Sequence, residues 1–256
     1  MPEEPMNRRG FLRKAARFGA LLAVGKALEA CVPRVTVKEE EIKRFRLQHI
    51  ASFIDKDPNN CLRSLQENEY IVSDDVFKAY SRTIQGDDVP AWVMDPIGGY
   101  MDYDYLENPE LYDKFVGKLK KLGLEEEEIN KYVAMFRRKR TIIFRAEAIA
   151  QPNFKSKLLH ERVHKEFHSL PEDLQNYLLD CAKKFSNDRN YIMFVNRNSE
   201  YRGMVAAITQ GNPAEFYPYL SQGAFSEQAE KLFQTRFPDA YKIYAQMKFQ
   251  ASIGLF

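Results

Sequence analysis

Five consecutive residues, His160-Glu161-Arg162-Val163-His164, constrain this chain more than any other feature. They lie in a stretch from about Ser156 to His168 whose apolar spacing predicts a helix. At about 100° per residue, His164 falls roughly 40° and His168 roughly 80° from His160, with Glu161 at about 100°. Leu159, Val163 and Phe167 form an apolar stripe beside the histidines, and Arg162, Lys165 and Glu166 take the remaining face. Such a helix packs on one side, presents imidazoles on the next, and turns its far side to water or polar neighbours.

Two histidines four residues apart project from successive turns and can share one divalent ion. Neutral imidazole binds zinc at about 2.0–2.1 Å, commonly in tetrahedral geometry. The ligand chemistry therefore predicts one Zn2+ per chain, held by His160 and His164. Glu161 stands beside the first ligand, where it can take a proton from a metal-activated water and return it to a leaving amine. A catalytic site needs a third protein ligand and an open position. His168 lies about 12 Å from His160 along the helix axis, and Glu166 points away, so a second element must supply that ligand. Glu200 is the favoured candidate. It sits in the first turn of an expected helix capped by Asn198 or Ser199, where Gly203, Ala206 and Ala207 permit close approach to another helix. Glu215 and Glu227 are the alternatives.

These residues resemble the gluzincin branch of the zincin metallopeptidases, in which one helix bears His-Glu-x-x-His and a later helix supplies a glutamate ligand. The resemblance covers roughly residues 140–210, and only its five-residue core is specific. It implies His160, His164 and Glu200 as metal ligands, Glu161 as general base, and a peptide or protein substrate. It also implies an edge strand just before the active-site helix, a place taken by Thr141–Ile149, which has the strongest strand pattern in the chain. Such families add a group that stabilises the tetrahedral oxyanion. Tyr201, Arg202, Tyr217 and Tyr219 are available, and His168 is a candidate for a hydrogen bond behind the ligands. The longer metzincin pattern, with a glycine and a third histidine soon after, is absent.

The first thirty-one residues differ in kind. Asn7-Arg8-Arg9-Gly10-Phe11-Leu12 followed by the short apolar run Phe18–Val24 resembles a twin-arginine export signal, too short to span a bilayer. Leu28-Glu29-Ala30-Cys31 resembles a lipoprotein cleavage box with Cys31 as the lipidated residue, although Glu29 replaces the usual small residue and Lys26 interrupts the apolar run. The expected location is therefore the outer face of the cytoplasmic membrane, periplasmic or extracellular, with Cys31 as a possible lipid anchor. Cys61 and Cys181 then remain, as a disulfide or as two buried thiols.

With 38 basic against 36 acidic residues, interspersed rather than blocked, the chain lacks the footprint of a nucleic-acid binder. The organisation expected is an export signal over 1–31, a helical N-terminal region over 32–135 and a zincin-like catalytic region over 136–256. The fold class is a helix-rich α+β domain with a small sheet. The competing reading is an exported lipoprotein with a binding or scaffold role and no catalysis.

Overall fold

A computed structural model describes residues 37–54, 57, 61–86, 98–186, 213–223 and 227–255. The export signal, Cys31 and the segment carrying Glu200, Tyr201 and Arg202 lie outside the described residues. The architecture is α+β and rich in helix, with a small three-stranded sheet. The strands are β1 (Glu69–Val72), β2 (Gly98–Met101) and β3 (Thr141–Arg145), in the order β1-β3-β2. β1 pairs with β3 in parallel, Glu69 opposite Ile142, and β2 pairs antiparallel, Tyr100 opposite Ile142.

This order corrects the expectation for Thr141–Ile149. The strand ends at Arg145, in front of a 3-10 turn over Ala146–Ala148, and it is the middle strand. Every residue of β3 is buried, as a middle strand covered on both faces requires. Among the described residues, the edge strand beside the helix that carries His160 and His164 is β2. It belongs to the aromatic, glycine-containing segment Trp92–Tyr105. Gly98 permits that pairing: a Cβ there would lie 2.1 Å from the Phe144 ring.

Helices cover both faces. On one side lie α1 (Glu39–Ala51), α2 (Asp74–Gln85), α3 (Pro109–Lys121) and α4 (Glu126–Phe136), whose Phe45, Phe77, Phe115 and Phe136 pack with Tyr70, Val72 and Ile143. The other side holds α5 (Phe154–Ser169), α6 (Glu172–Ser186), α7 (Phe216–Ser221), α8 (Glu227–Arg236) and α9 (Pro238–Ser252). Their apolar faces close over Ile71, Ile142 and Phe144. Alternation along each strand sends neighbouring side chains to opposite layers. The sheet draws strands from both sides of residue 136, so the regions over 32–135 and 136–256 both contribute to it. Ser73 caps α2 by accepting from the Val76 amide, and Asn108 caps α3 through the amides of Glu110 and Leu111. Pro218 lies inside α7. It falls in the first turn, where a helix needs no amide donor. Cys61 and Cys181 are separate, buried thiols, and burial pushes both pKa values up. Among the described residues no helix is long and apolar enough to cross a membrane.

The alternation that buries Ile71 also turns Glu69 toward α5, where it meets Arg162 from inside the histidine motif. Arg162 is 1% exposed and Glu69 0%. The guanidinium donates through Nε to Oε1 at 2.6 Å and through Nη2 to Oε2 at 2.8 Å. It also donates to the carbonyls of Ser64 and Ile253. Removing one member leaves a charge buried without its partner, so Glu69→Ala or Arg162→Ala should lower the unfolding free energy by about 3–5 kcal/mol. The double variant Glu69→Leu/Arg162→Met should recover most of that loss in urea denaturation. Equal losses in single and double variants would show that packing, not charge pairing, sets the cost.

Candidate metal centre

α5 is buried almost all round, through Leu158, Leu159, His160, Arg162, Val163, His164 and Phe167. α7 and α9 pack on it. Glu215 reaches it from the end of a 3-10 turn, Pro213–Glu215, at the N-cap of α7. The buried run Phe216–Leu220 that follows fixes the turn against α5.

Three donor atoms converge there. His164 Nε2 lies 3.2 Å from His160 Nε2 and 3.1 Å from Glu215 Oε2. His160 Nε2 lies 3.4 Å from the same oxygen. Ligands about 2.0–2.1 Å from a tetrahedral zinc stand roughly 3.3–3.4 Å apart. The donor set, two imidazole nitrogens and a carboxylate oxygen, therefore fits zinc in both chemistry and spacing. Among the described residues this is the one group of three such side chains able to share an ion. His160 Nδ1 is buried and has no hydrogen-bond partner among the described residues. The Tyr219 ring stands edge-on to His160 at 4.6 Å between centroids.

Electrostatics bind the three groups together. Burial alone would push the Glu215 carboxyl up. Hydrogen bonds and positive charge from His160 and His164 outweigh it and hold the group well below the ordinary carboxylate range. Burial alone would lower His164, yet the hydrogen bond to Glu215 and the carboxylates of Glu215, Glu161 and Asp102 raise it.

Glu161 stands next to the cluster, and its Oε2 accepts from the Tyr100 backbone amide of β2 at 2.7 Å. His168 faces Asp102, with Nδ1 3.8 Å from Oδ2, and its ring stacks on Tyr100. Burial lowers its pKa, with Asp102 opposing. Tyr217 is spent on structure, since its hydroxyl donates to the Leu178 carbonyl at 2.8 Å. Asp104, from the Tyr-Asp run Tyr100-Met101-Asp102-Tyr103-Asp104-Tyr105, is likewise structural: it pairs with Arg137 and accepts from the Leu106 amide.

The structure thus brings His160, Glu161 and His164 together as their spacing predicts, and adds Glu215, one of the sequence alternatives. Glu200, Tyr201 and Arg202 lie outside the described residues. Glu227 begins α8 and is not one of the converging donors. Tyr100 touches Glu161 and stacks parallel to His164; the sequence reading took the Tyr-Asp run that it opens for a polar loop, or else a cleft lining or cation site, and gave Tyr100 no contact of its own. Its signal was the Gly98-Gly99 pair that lets this strand approach. No known protein family, curated protein or solved structure matches the chain.

Two outcomes follow for metal binding. Purified protein should carry one zinc per chain, and Glu215→Ala should lose it while Glu200→Ala keeps it, as read by elemental analysis after dialysis. Retention in Glu215→Ala and loss in Glu200→Ala would reverse the ligand choice. Zinc binds imidazole in its neutral form, so it must displace the proton that the raised His164 pKa favours. Affinity should fall as pH drops, beginning above the ordinary histidine value of about 6.5, in competition titrations with a chelator.

Proposed function

We propose that the chain is a zinc-dependent metallopeptidase with a zincin-like core, acting on peptide or protein substrates. The observation that carries this reading is the convergence of His160 Nε2, His164 Nε2 and Glu215 Oε2 within 3.4 Å of one another, with the Glu161 carboxylate beside them. Two imidazoles and one carboxylate leave a fourth position open, the arrangement of catalytic rather than structural zinc sites. Zinc held there would polarise a carbonyl and lower the pKa of water to about 7.

The chain's own groups supply the proton transfers. Glu161 takes the proton of the attacking water and delivers it to the departing amine. A carboxylate offers about four lone-pair sites, so accepting one N–H from Tyr100 leaves it basic capacity. His160 and His164 must stay neutral to serve as ligands. The surrounding core, with Val163 and Phe167 at 0% and 1% exposure, keeps bulk water from the helix face that bears them. The N-terminal pattern through Cys31 supports placement outside the cytoplasmic membrane, tethered by a lipid.

Glu161→Gln tests the reading. The variant should keep its zinc and lose peptide hydrolysis by about 10²–10⁴-fold, measured on a diverse peptide library. A zinc-loaded wild type that cleaves no member of the library would overturn peptidase activity. Equal activity in wild type and Glu161→Gln would overturn the role of Glu161.

A further inference from the structure

β2 meets the candidate site twice through one residue. The Tyr100 amide donates to Glu161 Oε2 at 2.7 Å. The Tyr100 ring lies parallel to the ring of His164, within 5° at 6.5 Å between centroids, and within 17° of His168 at 5.4 Å. Two residues along the chain, Asp102 faces His168. In an antiparallel ladder, residues alternate between directing N–H and C=O toward the partner strand and away from it. The bond to Glu161 puts the Tyr100 amide on the side away from β3, so Gly99 and Met101 direct theirs to β3. Glu161 therefore accepts an amide that the sheet leaves unused. That amide comes within reach because Gly98 lets β2 close onto Phe144.

We propose that Tyr100 is a positioning residue of the metal site, its backbone N–H holding the Glu161 carboxylate and its ring holding the plane of the His164 imidazole; the role rests on the zinc peptidase reading above. A glutamate side chain has freedom about three bonds, and a base works only from a narrow range of positions. A charge-assisted N–H bond to one oxygen removes much of that freedom. An imidazole ligand needs its ring plane fixed as well as its nitrogen placed. Without metal, His164 Nε2 is held by Glu215 Oε2 at 3.1 Å; with or without it, the Tyr100 ring lying parallel to the imidazole limits the ring's rotation. Because ring stacking needs no hydroxyl, Phe can replace Tyr at this position while Ala cannot.

Two measurements separate this proposal from the reading beneath it. The first is residue-resolved amide hydrogen exchange on the metal-free full chain. The Tyr100 amide should be protected in the wild type. In Glu161→Ala it should exchange about tenfold faster or more, as expected for loss of a bond to a charged acceptor, while Gly99 and Met101 stay unchanged. A Tyr100 amide that is unprotected, or unmoved by Glu161→Ala, overturns the clamp. The second is zinc affinity. Tyr100→Ala should weaken it by about tenfold, and Tyr100→Phe should leave it at the wild-type value. Equal affinity in Ala and wild type overturns the ring's role. A wild type that takes up no zinc would instead overturn the metallopeptidase reading, and the exchange experiment, which needs no metal, distinguishes the two failures.

Discussion

The buried ion pair between Arg162 and Glu69 is the interaction on which the remaining structure turns. Arg162 occupies a variable position of the histidine motif, yet it is almost wholly withdrawn from solvent and bonds to Glu69 and three backbone carbonyls. Through it α5 is tied to β1, to the turn after Cys61 and to the end of α9. Glu69 is also fixed from the other side, because its Oε2 accepts from the Gln66 amide and its carbonyl from Arg46. An isolated charge would be intolerable at this depth, so the network stands or fails as a unit. Its position has a direct consequence for the site: the helix turn that carries His160 and His164 is pinned from behind, which fixes the direction in which both rings leave it.

The candidate metal centre then assembles from three pieces remote in sequence. α5 brings the two imidazoles and Glu161, the turn before α7 brings Glu215, and β2 brings the amide and ring of Tyr100. Each piece is held by packing that does not involve the metal: Phe216–Leu220 for the turn, the sheet ladder for β2, and the Arg162 network for α5. Bringing a carboxylate and two imidazole nitrogens within 3.4 Å costs desolvation that an ion would offset. Zinc bound to the folded chain and not to the unfolded one would also stabilise the fold.

How much of this the sequence made legible depends on the physics of each element. The metal helix was readable because it combines strict spacing with an apolar stripe; the expected Ser156–His168 lies within the observed Phe154–Ser169. α2 and α3 begin after Ser73 and Asn108, polar residues of the kind that mark a helix start in sequence, and both side chains cap their helices. β1 was missed because it is four residues long and begins with Glu69, a charge that propensity places at the surface and that only Arg162 makes tolerable inside. β3 was recognised as a strand but put at an edge, the place the resemblance gave it, because only Ile142-Ile143-Phe144 is continuously apolar and the alternation of Arg145 and Glu147 beyond it reads as a half-exposed strand. The third ligand was the hardest part. Glu215 carries no local pattern of its own, because its placement comes from the burial of the residues after it and from a tertiary contact 51 positions from His164. Arg162 was placed on the far face by helical periodicity. It does face polar partners there, but buried ones.

The central claim is that His160, His164 and Glu215 hold one zinc, and X-ray absorption at the zinc edge tests it most directly. The account requires a first shell of nitrogen and oxygen only, at about 2.0–2.1 Å with two imidazoles, that loses its stoichiometric zinc in Glu215→Ala. A sulfur ligand near about 2.3 Å, or a spectrum unchanged by Glu215→Ala, would contradict it.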